Sequence, residues 1–181
     1  MPVVVDDRLL RRFCPHLFGW SGRKEENHHT KERIREHMRF GDSRAAIVVS
    51  TGPLLVAAYT DELDCVAMLR FEPGSSIPEL SIGSRLLTVN TYRAGTQVVE
   101  DLFPGPLNHG IYENFYPIIS DFIATNPEVV EQRKSEIHES EWERTFSMGI
   151  EYLDTHPELA RNGSPCQSNK PASKTSPPGN T

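Results

Sequence analysis

Residues 45 to 92 carry four runs of β-forming residues with only short breaks between them, and helix-forming segments lie on both sides of that block. Ala45-Ala46-Ile47-Val48-Val49-Ser50 is the first run, and Thr51-Gly52-Pro53 breaks it. Leu54 to Thr60 is the second, Asp61-Glu62-Leu63-Asp64 reads as a turn, and Cys65 to Phe71 is the third. A loop with Pro73, Gly74 and Pro78 leads to the fourth, Arg85 to Tyr92. Links this short favour antiparallel neighbours, so the block predicts a meander of about four strands. Ile47-Val48-Val49 is apolar on both faces, which implies a sheet covered on both sides or at least one strand buried centrally. Strands grouped together and helices grouped together give an α+β class rather than α/β.

The flanking segments read as helices with identifiable ends. An aspartate of Asp6-Asp7 caps a short helix over 8–13, and Pro15 stops it. Leu17, Phe18 and Trp20 are expected to anchor this arm to the core. Residues 23–40 form a second helix with a sparse apolar stripe of Ile34, Met38 and Phe40, closed by Gly41. Residues 98–103 suggest a last strand or one helical turn. Glu113 to Thr125 is expected to be helical, with Phe115, Ile118, Ile119 and Phe122 on one face. Asn126-Pro127-Glu128 starts a further helical stretch reaching about Asp154. Its apolar stripe changes phase near Ser140, where Ser140-Glu141-Trp142-Glu143 forms a capping box, so a kink or two helices are expected.

These boundaries predict one domain over 1–162. It divides into a basic helical arm (1–44), the β-meander (45–92), an irregular loop (93–112) and a helical layer (113–162). Polar residues dominate 163–181, and that stretch is expected to stay disordered.

The chain has 181 residues and a net charge of −6. That total hides an asymmetry. Residues 1–44 hold ten basic and seven acidic side chains, a net of +3, whereas 45–181 hold nine and eighteen, a net of −9. An acidic total argues against a general nucleic-acid binder. No apolar run reaches membrane-span length. No signal peptide is recognisable at Met1 to Asp7. Cys14, Cys65 and Cys166 are odd in number and widely spaced, so no disulfide framework is expected and a reduced, cytoplasmic setting follows.

Metal binding is not expected. His29 and His37 stand about 12 Å apart along one helix, too far to share one ion. No phosphate-binding loop, dinucleotide fingerprint or nucleophile elbow occurs, so no cofactor is expected. The loop from Leu102 to Tyr116 is richest in chemistry. His109 is its candidate acid or base, with Asn108 and Tyr112 beside it, and Arg93 is a candidate anion ligand. Arg8, Arg11 and Arg12 are candidate partner-binding residues of the arm. The acidic stretch Glu128 to Glu143, net −4, is a candidate intramolecular counterpart for that arm.

Three functions follow as expectations. The first is a small intracellular domain acting through contacts with a protein partner. The second is small-molecule binding or hydrolysis at the 104–116 loop around His109. The third is nucleic-acid association through the basic arm.

Overall fold

The computed structural model describes residues 1–20, 22–74 and 77–167. Its strands are β1 (Asp42–Thr51), β2 (Leu54–Thr60), β3 (Cys65–Phe71), β4 (Arg85–Ala94), β5 (Leu102–Pro104), β6 (Tyr112–Ile119) and β7 (Arg161–Asn162). Its helices are α1 (Asp7–Phe13), α2 (Lys24–Phe40), α3 (Pro127–Glu136) and α4 (Glu139–Thr155). The class is α+β, with more strands than the expected four.

The sheet order is β5-β3-β2-β1-β4-β6, and β7 pairs with β3 in parallel. The first three strands form the expected meander. The fourth does not extend it: β4 crosses to the far side of β1, pairing Asn90 with Asp42 and Leu86 with Ala46. That crossover makes β1 central. It explains why Ala45 to Val49 are buried on both faces.

Residues 112–119 correct the sequence reading, because they form strand β6 and not a helix. Phe115, Pro117 and Ile119 alternate onto one face, opposite Tyr92, Asn90 and Thr88 of β4. Ile118 faces the other way and is also buried, so the spacing 115, 118, 119, 122 imitates a helical stripe. Aromatic and β-branched residues settle the segment as strand. Pro117 is tolerated because β6 is an edge strand. Only Ser120–Phe122 keeps a helical turn.

The sheet curls until its ends meet. Phe115 of β6 packs in one buried cluster with Cys65 and Ala67 of β3 and Leu102 of β5. Val99 N donates to Glu113 O at 2.8 Å, joining the segment before β5 to β6. Ala46, Ala58 and Ala67 stand side by side across β1, β2 and β3, so the inner face is lined by small side chains.

Helices cover the outer face. Trp142 of α4 packs on Ala45 and Ile47, and Met148 and Tyr152 join Ala57, Val66 and Met68. Ile34 and Met38 of α2 share a cluster with Leu87, Val89 and Ile118. Phe40, expected on the same stripe, is instead 75% exposed. An aspartate caps α1 as expected, and it is Asp6, accepting from Arg8 N at 2.7 Å and Leu9 N at 3.3 Å. The helical break falls at 137–138, slightly earlier than the sequence suggests. His138 caps α4 by accepting from Ser140 N at 3.2 Å, so the capping box is not used.

The cysteine reading is corrected too. Cys14 and Cys166 form a disulfide with Cα atoms 6.2 Å apart, and only Cys65 is free among the described cysteines. Spacing along the chain carried no sign of this, because the fold brings together residues 152 apart. Residues 163–167 are packed and not a loose tail. Gly163 N donates to Arg70 O at 2.8 Å, and Ser164 Oγ donates to Phe13 O at 3.1 Å. The remainder of the expected disordered stretch, 168–181, lies outside the described residues.

Candidate functional site

The 104–116 loop is held mainly through Asp64. Its main chain is left-handed (φ 46°) at the β2–β3 turn. Its carboxylate accepts from Leu107 N at 2.8 Å, Tyr59 Oη at 2.8 Å and Arg144 Nη1 at 3.1 Å. Burial and this carboxylate push the Tyr59 phenol up from its ordinary value. Asn108 Nδ2 donates to Leu63 O at 2.7 Å and to Cys65 Sγ at 3.0 Å, so it fastens the loop to the same turn. Burial pushes the Cys65 thiol up to about 12, which makes it a poor nucleophile.

The other loop candidates are separated by their partners. Tyr112 stacks on Tyr92, ring centroids 4.8 Å apart. Arg93 pairs with Glu113 at 2.5 Å. His109 is exposed, and its imidazole has no hydrogen bond among the described residues. The loop therefore presents an imidazole to solvent while Asn108, Tyr112 and Arg93 are engaged elsewhere.

No group of three or more His, Cys, Asp or Glu side chains suited to a metal ion occurs among the described residues. His37 is the buried histidine, which sequence reasoning placed on a solvated helix. Its Nε2 lies 2.7 Å from Val89 O and its Nδ1 3.1 Å from Thr91 Oγ1. Burial lowers it from 6.5 to about 4, so the ring is neutral and fastens α2 to β4.

The arm presents a different kind of surface. Arg8, Arg11 and Arg12 share one face of α1 at helical spacing, and all three are exposed. Phe18 lies between two cations, with Arg11 Cζ and Lys31 Nζ each 4.9 Å from its ring centroid. Beside it Trp20 is 100% exposed, with Lys24 Nζ 5.2 Å from its ring. This corrects the expectation that Trp20 anchors the arm. Leu17 is the anchor, 5% exposed.

The carboxylates of the arm serve other cations. Asp7 and Glu32 both hold Arg35, and Glu26 approaches Arg23 at 4.0 Å. Among the described residues, the carboxylates of the acidic stretch pair with the arm only at its last residue, Arg44. Glu131 pairs with Lys134, Glu139 with Arg85 and Glu141 with Arg44. Among the described residues, Arg8, Arg11, Arg12, Lys24 and Lys31 have no carboxylate partner. Of the two expectations for the arm's charges, self-pairing with the acidic helices or simple solvation, these five cations follow the second.

Compared with protein-family models, with curated proteins and with solved structures, the chain matches none of them. Among the described residues, no helix is long and apolar enough to cross a membrane.

Proposed function

We propose that this protein acts through contacts with a protein partner, and that the surface of α1, the 15–20 turn and the start of α2 receives an acidic segment of that partner. The observation that carries the reading is Trp20, fully exposed with Lys24 Nζ 5.2 Å from its ring, Lys24 having no carboxylate partner among the described residues. Trp and Arg are the side chains that most often dominate binding energy at interfaces. Exposed guanidinium groups at helical spacing match paired carboxylates by charge-assisted hydrogen bonds. The acidic body, net −9 over 45–181, favours a short acidic peptide over a long polyphosphate that would run across it. The reading does not depend on a cytoplasmic setting, because the Cys14–Cys166 bond is of a kind that persists where thiols are oxidised.

The test is affinity capture with the wild-type chain, with Trp20→Ala, and with Arg8, Arg11 and Arg12 together changed to Glu. The captured proteins are identified by mass spectrometry. The reading expects acidic partners that are lost with both variants. An identical partner set for all three chains contradicts it.

A further inference from the structure

Segment 163–167 meets the end of α1, and a disulfide joins the two. Cys166 is bonded to Cys14, the residue after α1. Ser164 Oγ donates to Phe13 O at 3.1 Å, and Gly163 N donates to Arg70 O at 2.8 Å. The Ser164 hydroxyl also stands 3.4 Å from Cys14 Sγ and 3.1 Å from Cys166 Sγ.

Cys14 is the joint of the arm surface. Its N–H donates to Leu10 O at 2.9 Å and closes α1, which carries Arg8, Arg11 and Arg12. Its carbonyl accepts from Leu17 N at 3.1 Å and opens the turn that leads through Phe18 to Trp20. With seven residues, α1 is too short to keep its shape without tertiary contacts. Its two ends are secured differently. At the start, Asp6 N donates to Ile123 O at 2.8 Å and Asp7 pairs with Arg35 at 2.7 Å. At the end, segment 163–167 supplies the covalent tie.

We infer that the Cys14–Cys166 bond is a redox latch on the arm. A dithiol reductant opens it, residues 163–167 leave α1, and the arm surface loses the fixed geometry that receives an acidic segment, while the sheet stays folded. The effect on docking rests on the reading of that surface proposed above; the release of the segment does not.

The two sulfurs are unequal. Cys14 is fully buried and Cys166 only half-buried, so an incoming thiolate reaches Cys166 Sγ. The new S–S bond forms there, the old one breaks, and its electron pair leaves on Cys14 Sγ, which takes up a proton. The reductant's second thiol then displaces Cys166 and closes the reductant's own disulfide. The protein gains two electrons and two protons, and the dithiol loses them. Cys65 does not compete, because it is fully buried. The Ser164 hydroxyl couples the chemistry to release. It has one proton, which a Cys14 thiolate draws away from Phe13 O, so breaking the S–S bond also weakens the hydrogen bond beside it. A surface that is no longer pre-organised must be ordered on binding, which lowers affinity.

The experiment follows hydrogen exchange by mass spectrometry in the full chain, first oxidised, then in dithiothreitol, then re-oxidised with glutathione disulfide. Residues 10–20 and 163–167 should exchange about tenfold faster when reduced, β1 and β2 should not change, and re-oxidation should restore the first state. Cys14→Ser/Cys166→Ser should match the reduced chain with or without dithiothreitol. Unchanged exchange at 10–20 overturns the inference. Loss of protection through β1 and β2 overturns it too, by making the bond a support of the whole fold. Anisotropy with a labelled Glu-rich peptide reads the surface itself, and reduction should weaken binding about tenfold. Equal affinity in both states overturns the control of docking. A peptide that binds neither state contradicts the reading of the surface, and the exchange data then decide the latch without it.

Discussion

The Arg161 guanidinium grips the Asp101 carboxylate through two hydrogen bonds of 2.6 and 2.7 Å, with both side chains at most 1% exposed. The same guanidinium donates to Phe115 O at 2.9 Å and Asn114 Oδ1 at 2.8 Å on β6. Arg161 itself lies on β7, against β3. One side chain therefore ties the two ends of the curled sheet together. A buried pair is costly to break from one side, because the remaining charge stays desolvated. Arg161→Met or Asp101→Asn alone should destabilise by about 3–5 kcal/mol in urea unfolding. Arg161→Met combined with Asp101→Leu should recover much of that loss. A double variant as unstable as the sum of the singles would show that the pair is worth more than its desolvation.

Gly149 lets α4 lie close on the sheet. A Cβ there would stand 2.6 Å from Ala57 Cβ and 2.9 Å from Val49 Cγ1. Exposed Gly→Ala changes within helices gain up to about 1 kcal/mol from propensity. Here overpacking reverses the sign, and Gly149→Ala should cost about 1–3 kcal/mol by thermal or urea unfolding. A stabilised variant would mean that the helix stands further off.

His37 predicts a pH window. The folded ring titrates at about 4, lowered first by burial and then by the charge of Arg33, against 6.5 for a free histidine. Below about pH 6.5 the unfolded chain takes up a proton that the folded chain refuses. Its contribution is therefore complete above pH 6.5 and is lost as pH falls toward 4, by about 3 kcal/mol. His37→Gln removes this term, so the gap in unfolding free energy between wild type and variant should narrow over that window. A gap that stays constant with pH would place the ring in contact with water.

The Cys14–Cys166 bond closes a loop spanning 152 positions. In the chain-entropy account that contributes about 5 kcal/mol. Dithiothreitol should lower the Tm of the wild type and leave Cys14→Ser/Cys166→Ser unchanged. Thiol titration of the denatured, unreduced chain should count one group, Cys65. Three groups would contradict the pairing.

Local signals were legible in the sequence and distant pairings were not. An aspartate cap at 6–7, the turn at 61–64 and the bounds of β2 and β3 follow from side chains within a few residues of each other. The place of β4 beside β1 depends on a crossover that no local pattern encodes. β6 misread as a helix because its two buried faces put Ile118 next to Ile119. Trp20 misread as an anchor because an apolar side chain in a loop carries no mark of which way it points. Arg161 carries no local sign of its burial, because a lone arginine near the polar end of a sequence looks solvated. The loop around His109 was legible as a place, but its holding residue is Asp64, 43 positions before Leu107.

The central claim is that the arm surface receives an acidic protein segment, and fluorescence anisotropy tests it most directly. A labelled peptide rich in Glu and Asp is titrated with wild type, Trp20→Ala and the Arg8/Arg11/Arg12→Glu chain, in parallel with a labelled DNA duplex. The account predicts peptide binding by the wild type, weakened about tenfold or more by either variant, and weaker binding of the duplex at equal salt. Equal peptide affinity in all three chains would contradict it, as would duplex binding that is tighter and falls steeply with salt.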